Sequence, residues 1–226
     1  MDQHRKLVIV GDSAFAQIAY EYFTHDSQYE VVGFSVEQNY LRQAQLFDLP
    51  VVPFEQLERH FSPIDHAVHV AIVYTQLNRL RSRLCEAAKH KGYRLASYIS
   101  SKAFVWRNVE IGEHCFIFED NTVQPFVKLG RNVVLWSGNH IGHHSRVGDN
   151  CFISSHVVIS GYCVIGRNSF LGVNCSVANN VSIGDDNWVG PQVSVMRDTA
   201  ADQVFKLDQI GAAKVSARRF FKAPDQ

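Results

Sequence analysis

The chain has 226 residues, 46% of them hydrophobic, with 22 Lys and Arg against 22 Asp and Glu. That is enough apolar material for one large domain or two modest ones, and the balanced charge excludes the broad positive field that would hold nucleic acid or an anionic membrane surface. No apolar run approaches the roughly 20 residues of a membrane span, and the first apolar run is too short for a secretory signal. The sequence therefore reads as a soluble, cytoplasmic protein.

In chain order, Lys6–Val10 reads as a buried strand, Gly11-Asp12-Ser13 as a turn and Ala14–Phe23 as a helix. A strand at Tyr29–Val36, a helix around Phe54–Phe61, a strand at His66–Tyr74, a helix at Gln76–Lys91 and a last strand at Tyr93–Tyr98 follow. This alternation predicts a small parallel α/β sheet, joined to the rest of the chain near Ser97–Ala103. The turn lacks the spacing G-x-G-x-x-G, because Ser13 and Ala16 occupy the second and third glycine positions, so an NAD site is not expected. The amides of Asp12, Ser13 and Ala14 could still meet a phosphate at the helix N-terminus. Equally, Asp12 or Ser13 could simply cap that helix.

From Val105 to Val195 an aliphatic residue recurs every six positions without a gap, through Ile111, Ile117, Val123, Leu129, Leu135, Ile141 and onward. Two residues before each stands a small or narrow side chain, including Cys115, Asn121, Asn139, Ser145, Cys151, Cys163 and Cys175. A period of six fits neither a helix nor a long straight strand. It fits two-residue strands meeting at corners, three hexapeptides to a triangular coil, with residues eighteen apart stacked in neighbouring coils. The four cysteines then pack the core, which explains five cysteines with no C-x-x-C pair. Glycine often follows the aliphatic (Gly112, Gly130, Gly142, Gly148), where permissive backbone angles at a corner are expected.

This run resembles the hexapeptide-repeat acyltransferases, whose repeat reads aliphatic, Gly, then four variable positions. The resemblance implies a left-handed parallel β-helix over about residues 99–198 that assembles as a homotrimer with active sites between subunits. The domain order is a small Rossmann-like unit (1–98), the β-helix (99–198) and a tail (199–226). It is similar to that of the bacterial sugar acyltransferases that modify amino sugars or sialic acids for surface polysaccharides such as O-antigen. By that resemblance the substrates are acetyl-CoA and a nucleotide-linked sugar, the latter held by Gly11, Asp12, Ser13, Ala14 and Glu37. N-acetylation is the favoured reaction and O-acetylation of a sugar or sialic acid the alternative.

The densest chemical signal is Ser137-Gly138-Asn139-His140-Ile141-Gly142-His143-His144-Ser145. His143 and His144 lie two and three residues past the aliphatic Ile141, outside both inward registers, and should point outward. By the resemblance, aligned on Gly138 and Gly148, His143 falls where the sugar acyltransferases carry a general base, and neutral imidazole suits that task near neutral pH. His144 or His140 could take the role instead. The relatives usually place an acidic residue beside the base, whereas this chain has His144 there, so Asn139, a backbone carbonyl or a second subunit would have to orient His143. His140 and His156 join the substrate side of the same cleft. Gly161, stacked on His143, leaves room for the thioester beside an exposed amide, or merely turns a corner. By resemblance, Gly172, Val173, Gly190 and Pro191 wall the coenzyme groove, and Arg197, Lys206, Lys214, Arg218 and Arg219 could meet its phosphates.

Two other classes remain open on this reading. A β-helix with interfacial histidines could hold zinc as a carbonic anhydrase does, although His140, His143 and His144 crowd one strand too closely for a tetrahedral site, and no metal is expected. A non-catalytic scaffold is the third reading.

Overall fold

In the computed structural model, residues 5–207 and 214–222 are described; the expected tail lies partly outside them. The N-terminal unit contains β1 (Arg5–Val10), α1 (Ala14–His25), β2 (Tyr29–Val36), β3 (Gln45–Leu46), β4 (Leu49–Pro53), α2 (Leu57–His60), β5 (His66–Val70), α3 (Arg79–His90) and β6 (Arg94–Leu95). Its sheet runs β3-β4-β2-β1-β5-β6 and is parallel except for the β3–β4 hairpin. The apolar run of β1 is buried because helices or other strands cover both faces of a parallel sheet.

Three local features differ from expectation. The hairpin turns on Phe47 and Asp48, both left-handed (φ 51° and 60°), in a two-residue turn without the usual glycine signal. The strand expected to reach Tyr74 ends at Val70, and α3 begins at Arg79 rather than Gln76. Gln76, Leu77 and Asn78 all take positive φ, and a run of left-handed residues cannot start a right-handed helix.

The second unit is a left-handed parallel β-helix, an exception to the usual right-handed crossover. Its two-residue strands form three faces. The first begins at Tyr98–Ile99, which pairs with Phe116–Ile117 and continues through residues 134–135, 152–153, 170–171 and 188–189 to Val204–Phe205. The second starts at Phe104–Val105 and contains His140–Ile141; the third starts at Glu110–Ile111. From Val105 to Val195 the second residue of each pair points inward, and these aliphatics, with Cys115, Cys151, Cys163 and Cys175, make one column that is buried from Ile117 onward.

The corners work differently from expectation. Gly112, Gly142 and Gly172 have no positive φ; a Cβ there would come within 2.6 Å of backbone atoms in the next coil. The glycines permit close stacking of coils. The left-handed residue lies three past the aliphatic, at His114, Asp120, Phe126, Asn132, Gly138, His144, Asn150, His156, Tyr162 and onward.

The N-terminal unit docks on the first face. Phe15, Tyr22 and Phe23 meet the outward column Tyr98, Phe116 and Phe118, and Tyr74 packs on Phe152 and Phe170. The second and third faces remain open.

Candidate active site

The corner between the two open faces carries His143 and His144, both exposed. His143 is held from several sides. Its backbone N–H donates to Gln124 Oε1 at 2.9 Å, its carbonyl accepts from Tyr162 N–H at 3.0 Å, and its Nδ1 lies 3.1 Å from His144 Nδ1. The ring rests over Gly161, where a Cβ would come within 2.8 Å of Cε1 and 2.9 Å of Nε2. An exposed imidazole fixed in this way can accept a proton from a bound nucleophile.

The space above Gly161 is therefore filled by the imidazole itself, and the Gly161 N–H already donates to Asn179 Oδ1 at 2.9 Å. Asn139 does not reach His143. It is turned into the coil at the corner between the first and second faces, where its Oδ1 accepts from Val157 N–H at 2.8 Å. His156 sits at that same corner, its ring over Gly138. The open second face separates it from His143, with His140 half-buried between them. Gly172 and Gly190 stack on one another at the His156 corner, with Val173 and Pro191 exposed beside them. Arg197, Lys206, Lys214, Arg218 and Arg219 are all exposed. Among the described residues, no three His, Cys, Asp or Glu side chains are grouped to hold a metal ion.

In the N-terminal unit, Gly11, Asp12, Ser13 and Glu37 line one pocket of about 180 Å³, closed by Val10, Val36, Tyr40, Ile72, Leu80 and Leu84. Gly11 has φ +127°, and a Cβ there would lie 2.8 Å from the Ala71 carbonyl oxygen, so both conformation and space call for glycine. Ser13 is the N-cap of α1 but makes no side-chain cap hydrogen bond. The first turn of this 12-residue helix thus lacks a side-chain cap; Ala14, at its first position, is exposed and does not line the pocket. Glu37 forms a two-pronged ion pair with Arg83 of α3, both distances 2.9 Å, a partner the sequence did not reveal.

The sequence also gave no sign of a buried polar junction between the units. Arg81 of α3 is fully buried and donates to Asn132 Oδ1 (2.8 Å), Asn132 O (3.0 Å) and Ile72 O (3.2 Å). His114 accepts from Val70 N–H and donates Nδ1–H to Asn132 Oδ1, both at 2.8 Å, while its ring stacks on His69 at 4.4 Å. Burial pushes Arg81 down to about 10 and His69 down to about 4, and holds His114 well below its ordinary value. A polar helix face reads as solvent-exposed in sequence, and only the docked coil shows that Arg81 is not.

Comparison with known proteins fits this architecture. The family model described as bacterial transferase hexapeptide (six repeats) matches residues 126–161. The acetyltransferase domain of PglB from Neisseria gonorrhoeae superimposes with a TM-score of 0.79 at 21% identity, covering 88% of this chain and 95% of that one. The chain has the fold of these acetyltransferases. A histidine-to-asparagine variant of perosamine N-acetyltransferase from Caulobacter crescentus, in complex with CoA and GDP-perosamine, gives 0.78 at 24% identity, covering 88% and 92%. WeeI from Acinetobacter baumannii gives 0.59 at 20%, covering 88% and 94%. No curated protein matches the sequence.

Proposed function

We propose that this chain transfers the acetyl group of acetyl-CoA to the amine of a nucleotide-linked amino sugar, with His143 as general base. The supporting observation is the pairing, in one chain, of an anion-ready pocket at the uncapped N-terminus of α1 with an imidazole fixed on an open coil edge. The likeness to a relative seen with CoA and GDP-perosamine spans both units, which favours the same two classes of substrate here.

In the reaction the amine nitrogen attacks the thioester carbonyl, and His143 Nε2 takes the proton that the nitrogen sheds as the C–N bond forms. Collapse of the tetrahedral intermediate breaks the C–S bond and releases CoA thiolate. The α1 amides hold the nucleotide phosphates, and the apolar wall of Val36, Ile72 and Leu80 excludes water behind them.

The topology favours a site built by two chains. The nucleotide pocket belongs to the unit covering the first face, whereas His143 stands on the opposite edge of the coil. A sugar held in one protomer's pocket reaches His143 of a second copy, as a closed trimer would allow. The product is an activated sugar for surface polysaccharide assembly, made where acetyl-CoA and nucleotide sugars are present, in the cytoplasm.

The test is a panel of nucleotide-linked amino sugars and their hydroxyl counterparts with acetyl-CoA, read by thiol release and mass of the product. One amino sugar should gain an acetyl group, and His143→Ala should lower kcat by about 100-fold or more. Acetylation confined to hydroxyl acceptors would move the reading to O-acetylation. No thiol release across the panel, with no thermal shift by CoA, would reject it.

A further inference from the structure

No carboxylate accompanies His143 among the hydrogen bonds of its corner, yet its ring is not free. Its Nδ1 lies 3.1 Å from His144 Nδ1, and His144 is clamped between two aromatic rings. Phe126 stacks on one side at 4.6 Å and 27°, and Tyr162 on the other at 4.7 Å and 15°. Tyr162 also meets His143 edge-on at 5.1 Å. All three clamp residues have left-handed backbones, with φ of 65°, 61° and 59°. The corresponding column between the third and first faces holds Asn132, Asn150 and Asn168, residues that tolerate this conformation well. Phe and Tyr do not, so the two rings stand at this corner at a local cost.

Two facing Nδ1 atoms hydrogen-bond only if one carries a proton and the other a lone pair. If His143 donates, its Nε2 is left with a lone pair and can act as a base. If His144 donates, His143 Nε2 carries hydrogen and cannot. The geometry points to His144 as a positioning residue that accepts the Nδ1–H of His143, held for this by the Phe126–His144–Tyr162 stack, so that a neutral imidazole does the orienting work often done by a carboxylate. The inference rests on the reading of His143 as general base. When His143 takes a proton at Nε2, its Nδ1–H remains in the bond to His144, and the positive charge stays on His143.

The tautomer is observable without turnover. Long-range proton–nitrogen spectra of protein labelled with ¹⁵N-histidine, with His143 assigned by its loss in His143→Gln, should show His143 protonated at Nδ1 and bare at Nε2. In His144→Ala the proton should move to Nε2. Kinetically, His144→Ala should lower kcat on the order of 10- to 100-fold with little change in KM for acetyl-CoA. His144→Glu, which supplies an acceptor, should recover most of the loss. His144→Lys, which supplies none, should not. Full activity in His143→Ala overturns the base reading itself. If His143→Ala is inactive while His144→Ala is fully active, or if wild-type His143 carries its proton on Nε2, the base reading survives and the positioning role is overturned.

Discussion

At the scale of single residues, Gly161 offers the cleanest separation of stability from activity. An alanine there would meet the far edge of an exposed imidazole rather than backbone, so the ring can swing away at small cost. Gly161→Ala should therefore change Tm by no more than about 2 °C while lowering kcat on the order of 100-fold, because the imidazole proposed as base is displaced by about an ångström; an unchanged kcat would show that the ring's place over Gly161 does not matter. Gly11→Ala should act otherwise. Its Cβ meets the Ala71 carbonyl, which cannot yield, and its φ is positive, so loss of nucleotide-induced thermal shift should accompany destabilisation of about 1 kcal/mol or more. The outward placement of His143 and His144 was legible because register alone sorts inward from outward positions. The displacement of Asn139 was legible by the same rule, since it stands in the small inward register, and its proposed reach to His143 ignored that. The pairing of Glu37 with Arg83 joins residues 46 apart, which no local pattern records.

At the scale of elements, the repeat was legible because one chemical constraint recurs in every coil, whereas the β3–β4 hairpin and the left-handed run at 76–78 each depend on a single unrepeated turn. Most opaque was the meeting of β5, α3 and the coil, where His69, Arg81 and His114 lie buried. The polar partners of this junction lie on separate elements, so sequence spacing could not show it. Its energetics give a pH prediction. The His69 pKa is depressed first by burial, with the nearby Arg81 charge adding to the effect and the Ala96 hydrogen bond opposing it. Below pH 6.5 the unfolded chain binds a proton that the folded chain refuses until about pH 4. Stability should be full above pH 6.5 and fall as pH drops through that window, by about 3 kcal/mol from His69 alone, with His114 adding in the same direction. Urea denaturation at pH 7.5, 6 and 5 should show this decline, and His69→Gln should make it shallower. An equal decline in the variant would assign the acid sensitivity elsewhere.

At the scale of the whole molecule, the open faces and the division of the site are one problem. The N-terminal unit covers one face of a three-sided coil and leaves bare the edge that bears His143, along with exposed Phe104, Trp106, Phe126, Val158, Val164 and Tyr162. Packing such edges together in a ring would bury this apolar surface and bring each His143 toward a neighbour's pocket-bearing unit. This predicts complementation between two dead proteins. One carries His143→Ala and an intact pocket; the other carries an intact His143 and a pocket filled by Ser13→Trp. Each should be inactive alone. On the proposed two-chain site, proteins unfolded together in equal amounts and refolded should recover up to about a quarter of wild-type activity, the fraction of ring sites that draw the pocket from the first chain and the histidine from the second. Recovery should track the fraction of mixed oligomers seen by native mass spectrometry. If mixed oligomers form and activity stays at zero, pocket and base must serve each other within one chain, and the unit covering the first face would have to swing round the coil to reach them.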